Sequence, residues 1–281
     1  MENIAFVLVL FAAIMHAGWN AMVKINTAPL IAISMMFGFI MLAAILAMPW
    51  LPALAIDLWP WLGLSLLAHL GYKIYLLRAF RLGDFSQAYP IARGSAPIWV
   101  LLASFLLGTE SLATLSLAQT MGVAIIIVGI ISLAPWRQVQ KRGPVLIAAL
   151  VTGLWVASYT LIDGYVVASG AAFIAYVGWL FILDGLIINV YAFYRHGGEL
   201  VSAYRKHWRL AALGGGFSVA AYTVSLWAMT VLPVAMVAAL RETSVLAAVL
   251  LAVVWLREPL GSRQYVAAIT ICTGLLVLNS P

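Results

Sequence analysis

Three cations, Lys73, Arg93 and Arg241, lie inside stretches of this sequence that are otherwise almost wholly apolar. A charge kept in an apolar medium is costly, so it either has a task or is neutralised by a partner. Arg93 stands between two prolines in Tyr89-Pro90-Ile91-Ala92-Arg93-Gly94-Ser95-Ala96-Pro97. A guanidinium there can clamp a carboxylate or phosphate through two parallel N–H bonds, or it can pair internally. Arg241 is followed by Glu242, and helical neighbours point about 100° apart. Arg241 can therefore face a cavity while Glu242 neutralises Arg93 or Lys73, or carries a proton. Asp184 is a proton relay or a counter-charge to Lys73 or Arg241. Glu242, Asp184, His16 and His69 form the coupling and charge-balance group.

Polar and aromatic side chains fall at helical spacing in four segments. His69, Tyr72, Lys73 and Leu76 share one face, as do His16, Trp19, Asn20 and Lys24. Thr152, Trp155, Tyr159 and Asp163 make a third stripe, and Ser218, Tyr222, Ser225 and Met229 a fourth. Such stripes line a polar cavity or glue helices together; four of them beside three cations favour a cavity. The substrate-binding set is Arg93, Lys73, Arg241, Trp19, Asn20, Tyr72, Tyr89, Trp155, Tyr159 and Tyr222, in which the rings of Trp19, Trp155, Tyr72, Tyr159 and Tyr222 pack an apolar body or cap an amine. His16 and His69 share no acidic or thiol partner at their spacing, so no metal site is expected. No cofactor is expected either. The motifs of zinc proteases, serine hydrolases and phosphate loops do not occur, which argues against an enzyme.

The elements that must position these residues follow from composition. The chain has 281 residues, 65% hydrophobic and 9% charged, against about 25% charged in soluble domains. Lipid is the solvent such a chain requires, and nucleic acid is not an expected partner. Ten apolar segments, each long enough to cross ~30 Å of hydrocarbon as a helix, cover about 4–23, 29–49, 59–77, 85–107, 114–134, 144–163, 170–192, 210–230, 233–256 and 264–279. Pro, Gly and charges punctuate them, and residues 194–209 form the longest connection. Of the fifteen Lys and Arg residues, the twelve outside the apolar segments all fall after segments 1, 3, 5, 7 and 9. Positive charge marks the cytoplasmic side, so both termini are expected outside the cytoplasm of a plasma membrane, the bacterial inner membrane. The first segment is longer than a signal-peptide core and lacks a basic flank, so it is a retained span. No Asn-x-Ser/Thr acceptor occurs. Cys272 is the single cysteine, which excludes an internal disulfide.

The sequence is duplicated. Residues 86–112 align without a gap on 234–260, setting Arg93 on Arg241 and Glu110 on Glu258. Trp19 meets Trp155 at a second spacing, with Ala12 on Ala148 and Ala21 on Ala157. Two five-helix halves, 1–135 and 144–281, follow. An odd number of spans per half inverts one half against the other, the architecture in which a site lies between the halves near the midplane. The fold expected is all-α and integral to the membrane, with ten transmembrane helices in two inverted five-helix repeats. The substrate would sit between segments 1, 3, 4, 6, 8 and 9. Segments 5 and 10 carry small residues instead of buried charge, Gly122 and Gly129 against Ala267, Thr270 and Gly274. They belong at the periphery, with a homodimer contact as one use of that face.

With His16-Ala-Gly-Trp-Asn-Ala-Met-Val-Lys24 in the first span, Gly83-Asp-Phe-Ser-Gln-Ala-Tyr-Pro-Ile-Ala-Arg-Gly94 in the fourth, and Glu110 and Glu258 closing spans 4 and 9, the chain resembles the drug/metabolite transporter superfamily, EamA-type. The resemblance implies proton-coupled or exchange-type movement, by alternating access, of small metabolites such as amino acids or other carboxylates. A carrier of a lipid-linked phosphate is the alternative. Proteins of that family commonly keep their termini in the cytoplasm, the reverse of what the charge bias gives here.

Overall fold

The computed structural model describes residues 1–24, 28–82, 85–107, 116–132, 143–169, 173–247, 250 and 262–278. Ten α-helices run through them: α1 Glu2–Lys24, α2 Pro29–Ala47, α3 Trp59–Leu82, α4 Phe85–Leu107, α5 Leu117–Ser132, α6 Gly143–Ala168, α7 Phe173–His196, α8 Gly198–Ala228, α9 Val234–Glu242 and α10 Ser262–Leu278. The chain is all-α, as its unbroken apolar runs require where no water can satisfy a backbone. Glu110, Glu258, Arg137, Lys141, Arg142 and Arg257 lie outside the described residues.

By length and apolarity alone, five helices qualify as membrane spans: those starting at Glu2, Pro29, Gly143, Phe173 and Gly198. His69, Tyr72 and Lys73 lower the apolarity of α3, and Ile91–Ala103 of α4 is apolar over a shorter stretch. Leu117–Ser132 and Tyr265–Leu278 are apolar but shorter.

One expectation needs correcting. The connection 194–209 is helical. α7 continues to His196, the chain reverses at Gly197 with φ +47°, and α8 starts at once. Glycine reaches that left-handed conformation without strain. The first turns of α8 fold back on the bundle, where the Tyr204 hydroxyl lies 2.7 Å from Asn189 Oδ1 and 3.0 Å from the Ser34 carbonyl. α8 then bends at His207, whose φ and ψ leave the helical region. The two prolines of segment 4 do not break its helix: α4 runs through Pro90 and Pro97. Packing against α5, α6 and α9 holds it, the support from neighbouring helices that lets membrane helices tolerate proline.

The main contacts come in matched sets. α3 packs on α6 as α1 packs on α8, α4 on α6 as α1 on α9, and α2 on α8 as α3 on α7. α2 meets α7, and α5 meets α10. Each is the set expected when helices 1 to 5 correspond to helices 6 to 10 about a two-fold axis.

The α5–α10 pair uses its small residues within the chain. A Cβ on Gly122 would lie 2.6 Å from the Leu278 backbone nitrogen, and one on Gly274 would lie 2.7 Å from Ile126 Cγ1. Backbone cannot yield as a side-chain tip can, so Gly122→Ala is expected to destabilise the protein by about 1–3 kcal/mol through overpacking. Thermal unfolding in detergent checks this, with Gly63→Ala as control, since nothing lies within 4 Å of a Cβ there. Equal melting temperatures for the two variants would refute the close contact.

Candidate functional site

Helices α1, α2, α3, α6, α7, α8 and α9 line a cavity of about 40 Å³. That is room for about three ordered waters. α1 contributes His16 and Trp19, α3 contributes His69, Tyr72 and Lys73, and α6 contributes Tyr159. Asp184, Ser218, Tyr222 and Arg241 come from the three later helices.

The walls are aromatic. His69 stacks on Tyr159 with ring centroids 4.2 Å apart, and Tyr222 meets His69 edge-on at 5.5 Å. Tyr72 meets Tyr159 edge-on at 5.9 Å. The Arg241 guanidinium lies 5.9 Å from the centre of the Tyr159 ring, within cation–π range. Trp19 Nε1 donates to His16 Nδ1 at 3.2 Å, which fixes the Trp19 ring beside the opening.

The three intramembrane cations have different fates. Lys73 Nζ lies 2.6 Å from both Oδ1 and Oδ2 of Asp184, joining α3 to α7, and sits 4.4 Å over the Phe37 ring. Arg93 Nε lies 2.7 Å from Glu242 Oε2, joining α4 to α9. The approach is that of an ion pair, although the N–H is not aimed at the oxygen, and Nη1 and Nη2 have no hydrogen-bond partner among the described residues. Arg241 is 6% exposed and lines the cavity, yet no described carboxylate lies within ion-pair distance of it.

Five residues of the expected set do not line the cavity. Arg93, at 1% exposure, and Glu242 face each other behind it. Tyr89 is buried in α4, its hydroxyl 3.5 Å from Ser244 Oγ across the halves. Asn20 donates to the His16 carbonyl of its own helix at 2.8 Å. Trp155 fills the space above Gly71, where a Cβ would come within 2.5 Å of its ring. Among the described residues α4 gives the cavity none, while α2 and α7 supply Phe37, Leu180 and Phe181. Those three carry no signal in a chain this apolar.

Asp163, on the third stripe, is a further residue of consequence. It is wholly buried and accepts from the Tyr176 hydroxyl at 2.6 Å and from the Tyr222 hydroxyl. His69 Nε2 lies 3.5 Å from its Oδ2. One sequence signal also separates the arginines. The alignment that sets Arg93 on Arg241 sets Gly94 on Glu242, so the second half carries a carboxylate whose first-half counterpart is absent. A symmetric chain would neutralise both arginines; this one neutralises Arg93. Among the described residues no cluster of His, Cys, Asp and Glu could hold a metal ion.

Residues 143–280 match the model of the EamA-like transporter family. A search of the curated proteins finds no match. A solved crystal structure of another protein shares the fold over 99% of this chain and 98% of its own, with a TM-score of 0.73 and 17% sequence identity.

Proposed function

We propose that this chain, whose residues 143–280 match the model of the EamA-like transporter family, carries small metabolites bearing an anionic group, with Arg241 as the anion's anchor. That match and the apolar helices support a multi-pass membrane transporter of the drug/metabolite transporter superfamily. The substrate class rests on one observation: Arg241 is a buried, cavity-lining cation without a carboxylate partner among the described residues, whereas Lys73 and Arg93 have theirs. Removing a guanidinium from water costs free energy that a counter-ion restores. An incoming carboxylate supplies that counter-ion, in a geometry where two N–H groups can grip it. The rings of Trp19, Tyr72, Tyr159 and Tyr222 suit an apolar body or an amine. Amino acids and other small carboxylates meet both requirements.

Movement is by alternating access between halves 1–135 and 144–281. The two-fold pattern of helix contacts supports this. The one-sided Lys and Arg pattern supports a plasma-membrane location with the basic connections in the cytoplasm.

The test is uptake and counterflow in liposomes with a panel of labelled amino acids and carboxylates. A charge-assisted hydrogen bond contributes about 1.5–3 kcal/mol, so Arg241→Ala is expected to weaken apparent affinity for the carried anion roughly tenfold to a hundredfold. Arg241→Lys keeps charge but loses the fork, and should fall between. If Arg241→Ala transports as well as the parent chain, or if only a lipid-linked phosphate moves, this substrate class is wrong.

A further inference from the structure

We infer that Asp163, Tyr222 and His69 form a proton-binding relay that bridges the two halves and is made and broken as the halves move. This goes beyond the anion site and uses residues other than Arg241.

Asp163 on α6 has no exposed surface. A buried carboxylate is normally met by a fixed cation or by several donors. Here the described partners are the hydroxyls of Tyr176 from α7 and Tyr222 from α8, plus one group that is positive only when protonated, His69 from α3. The fixed cations nearby are engaged or turned elsewhere. Lys73, also on α3, is held by Asp184 of α7, and Arg93 of α4 is held by Glu242 of α9. Arg241 of α9 faces the Tyr159 ring of α6, and His16 of α1 bonds Trp19. A proton is therefore the counter-charge that this carboxylate can gain and lose.

The geometry supplies a path. His69 lines the cavity with its side chain 12% exposed, while Asp163, at 0%, lies behind it. His69 Nε2 is 3.3 Å from the Tyr222 oxygen, and the Tyr222 hydroxyl donates to Asp163 Oδ2. A proton arriving from the cavity binds His69 Nδ1. The Nε2 proton then passes to the Tyr222 oxygen as the original tyrosine proton passes to Asp163 Oδ2. Tyr222 ends unchanged, His69 ends neutral, and Asp163 ends protonated.

The relay also crosses the boundary that alternating access must open. His69 belongs to the first half; Asp163, Tyr176 and Tyr222 belong to the second. His69 is held to the second half by its stack on Tyr159 and its contacts to Tyr222 and Asp163. Sliding α3 on α6 breaks all three, so the ability to exchange a proton between cavity and Asp163 depends on conformation.

Infrared difference spectra of the full chain in phosphatidylcholine vesicles, between about pH 5 and pH 8, test this through the carbonyl stretch of a protonated carboxylic acid. The parent protein is expected to show a buried-acid band at the acidic end. Asp163→Asn should lose it completely, while Asp184→Asn and Glu242→Gln should retain it. Tyr222→Phe removes one donor and should shift the band, which covers the case of an Asp163 variant that fails to fold. His69→Gln should slow the band's appearance after a pH jump. A band that survives Asp163→Asn, a band unmoved by Tyr222→Phe, or the absence of any buried-acid band in the parent would each overturn the relay. Arg241-dependent anion uptake, assayed at one fixed pH, is a separate readout.

Discussion

Replacing Lys73 by alanine is expected to destabilise the protein by about 3–5 kcal/mol, the usual consequence of stripping one partner from a buried ion pair. The ammonium and the Asp184 carboxylate are 3% and 6% exposed and touch through both oxygens at 2.6 Å. Without Lys73, the Asp184 charge stays in a site from which water is nearly excluded, and Arg93 is already engaged. The same loss is expected for Asp184→Ala, with the ammonium now orphaned over the Phe37 ring. Lys73→Met combined with Asp184→Leu removes both charges at similar volume and should return most of the stability, because the pair's desolvation cost disappears with its attraction. Thermal unfolding of the four proteins in one detergent separates these outcomes. If either single variant melts with the parent, the pair is not the clamp between α3 and α7 that its geometry describes.

That pair also marks the limit of what the sequence could decide. Asp184 was open to Lys73 or to Arg241, and Glu242 to Arg93 or Lys73, because spacing fixes which face a side chain occupies but not which helix packs against that face. Helical periodicity was enough to bring His16, His69, Tyr72, Tyr159 and Tyr222 to one cavity, since each stripe has only one polar side and lipid claims the rest. It was not enough for Asn20 or Trp155, whose stripe neighbours face the cavity while they turn to their own helix and to Gly71. Arg93 looked the stronger anion clamp, flanked by prolines in a recognisable motif. The residue that separates it from Arg241 is a glycine, Gly94, standing where the second half has Glu242. The stretch 194–209 read as a loop because it carries a glycine pair and four basic residues, yet Leu200 is buried and Tyr204 reaches the bundle one turn on, enough to hold a helix against α2 and α7.

Arg93→Ala is expected to abolish most Arg241-dependent transport, a loss of roughly tenfold to a hundredfold in apparent affinity, although Arg93 does not line the cavity. The route is through Glu242. That carboxylate is 2% exposed and interacts electrostatically with Arg93 first and with Arg241 second. With Arg93 gone, Arg241 is the cation left to balance it, and an arginine already balanced has less to offer a substrate anion. The single variant should also lose about 3–5 kcal/mol of stability, as an ion pair broken on one side does, so transport is compared at equal amounts of folded protein. The decisive measurement is the double variant Arg93→Ala with Glu242→Ala. It removes one positive and one negative charge, leaves Arg241 again without a partner, and should recover anion uptake to within a few fold of the parent. A direct clamp at Arg93 makes the opposite forecast, because the double variant would lack the clamp and stay inactive. Recovery assigns Arg93 the task of keeping Glu242 away from Arg241; continued inactivity would return the anion to Arg93.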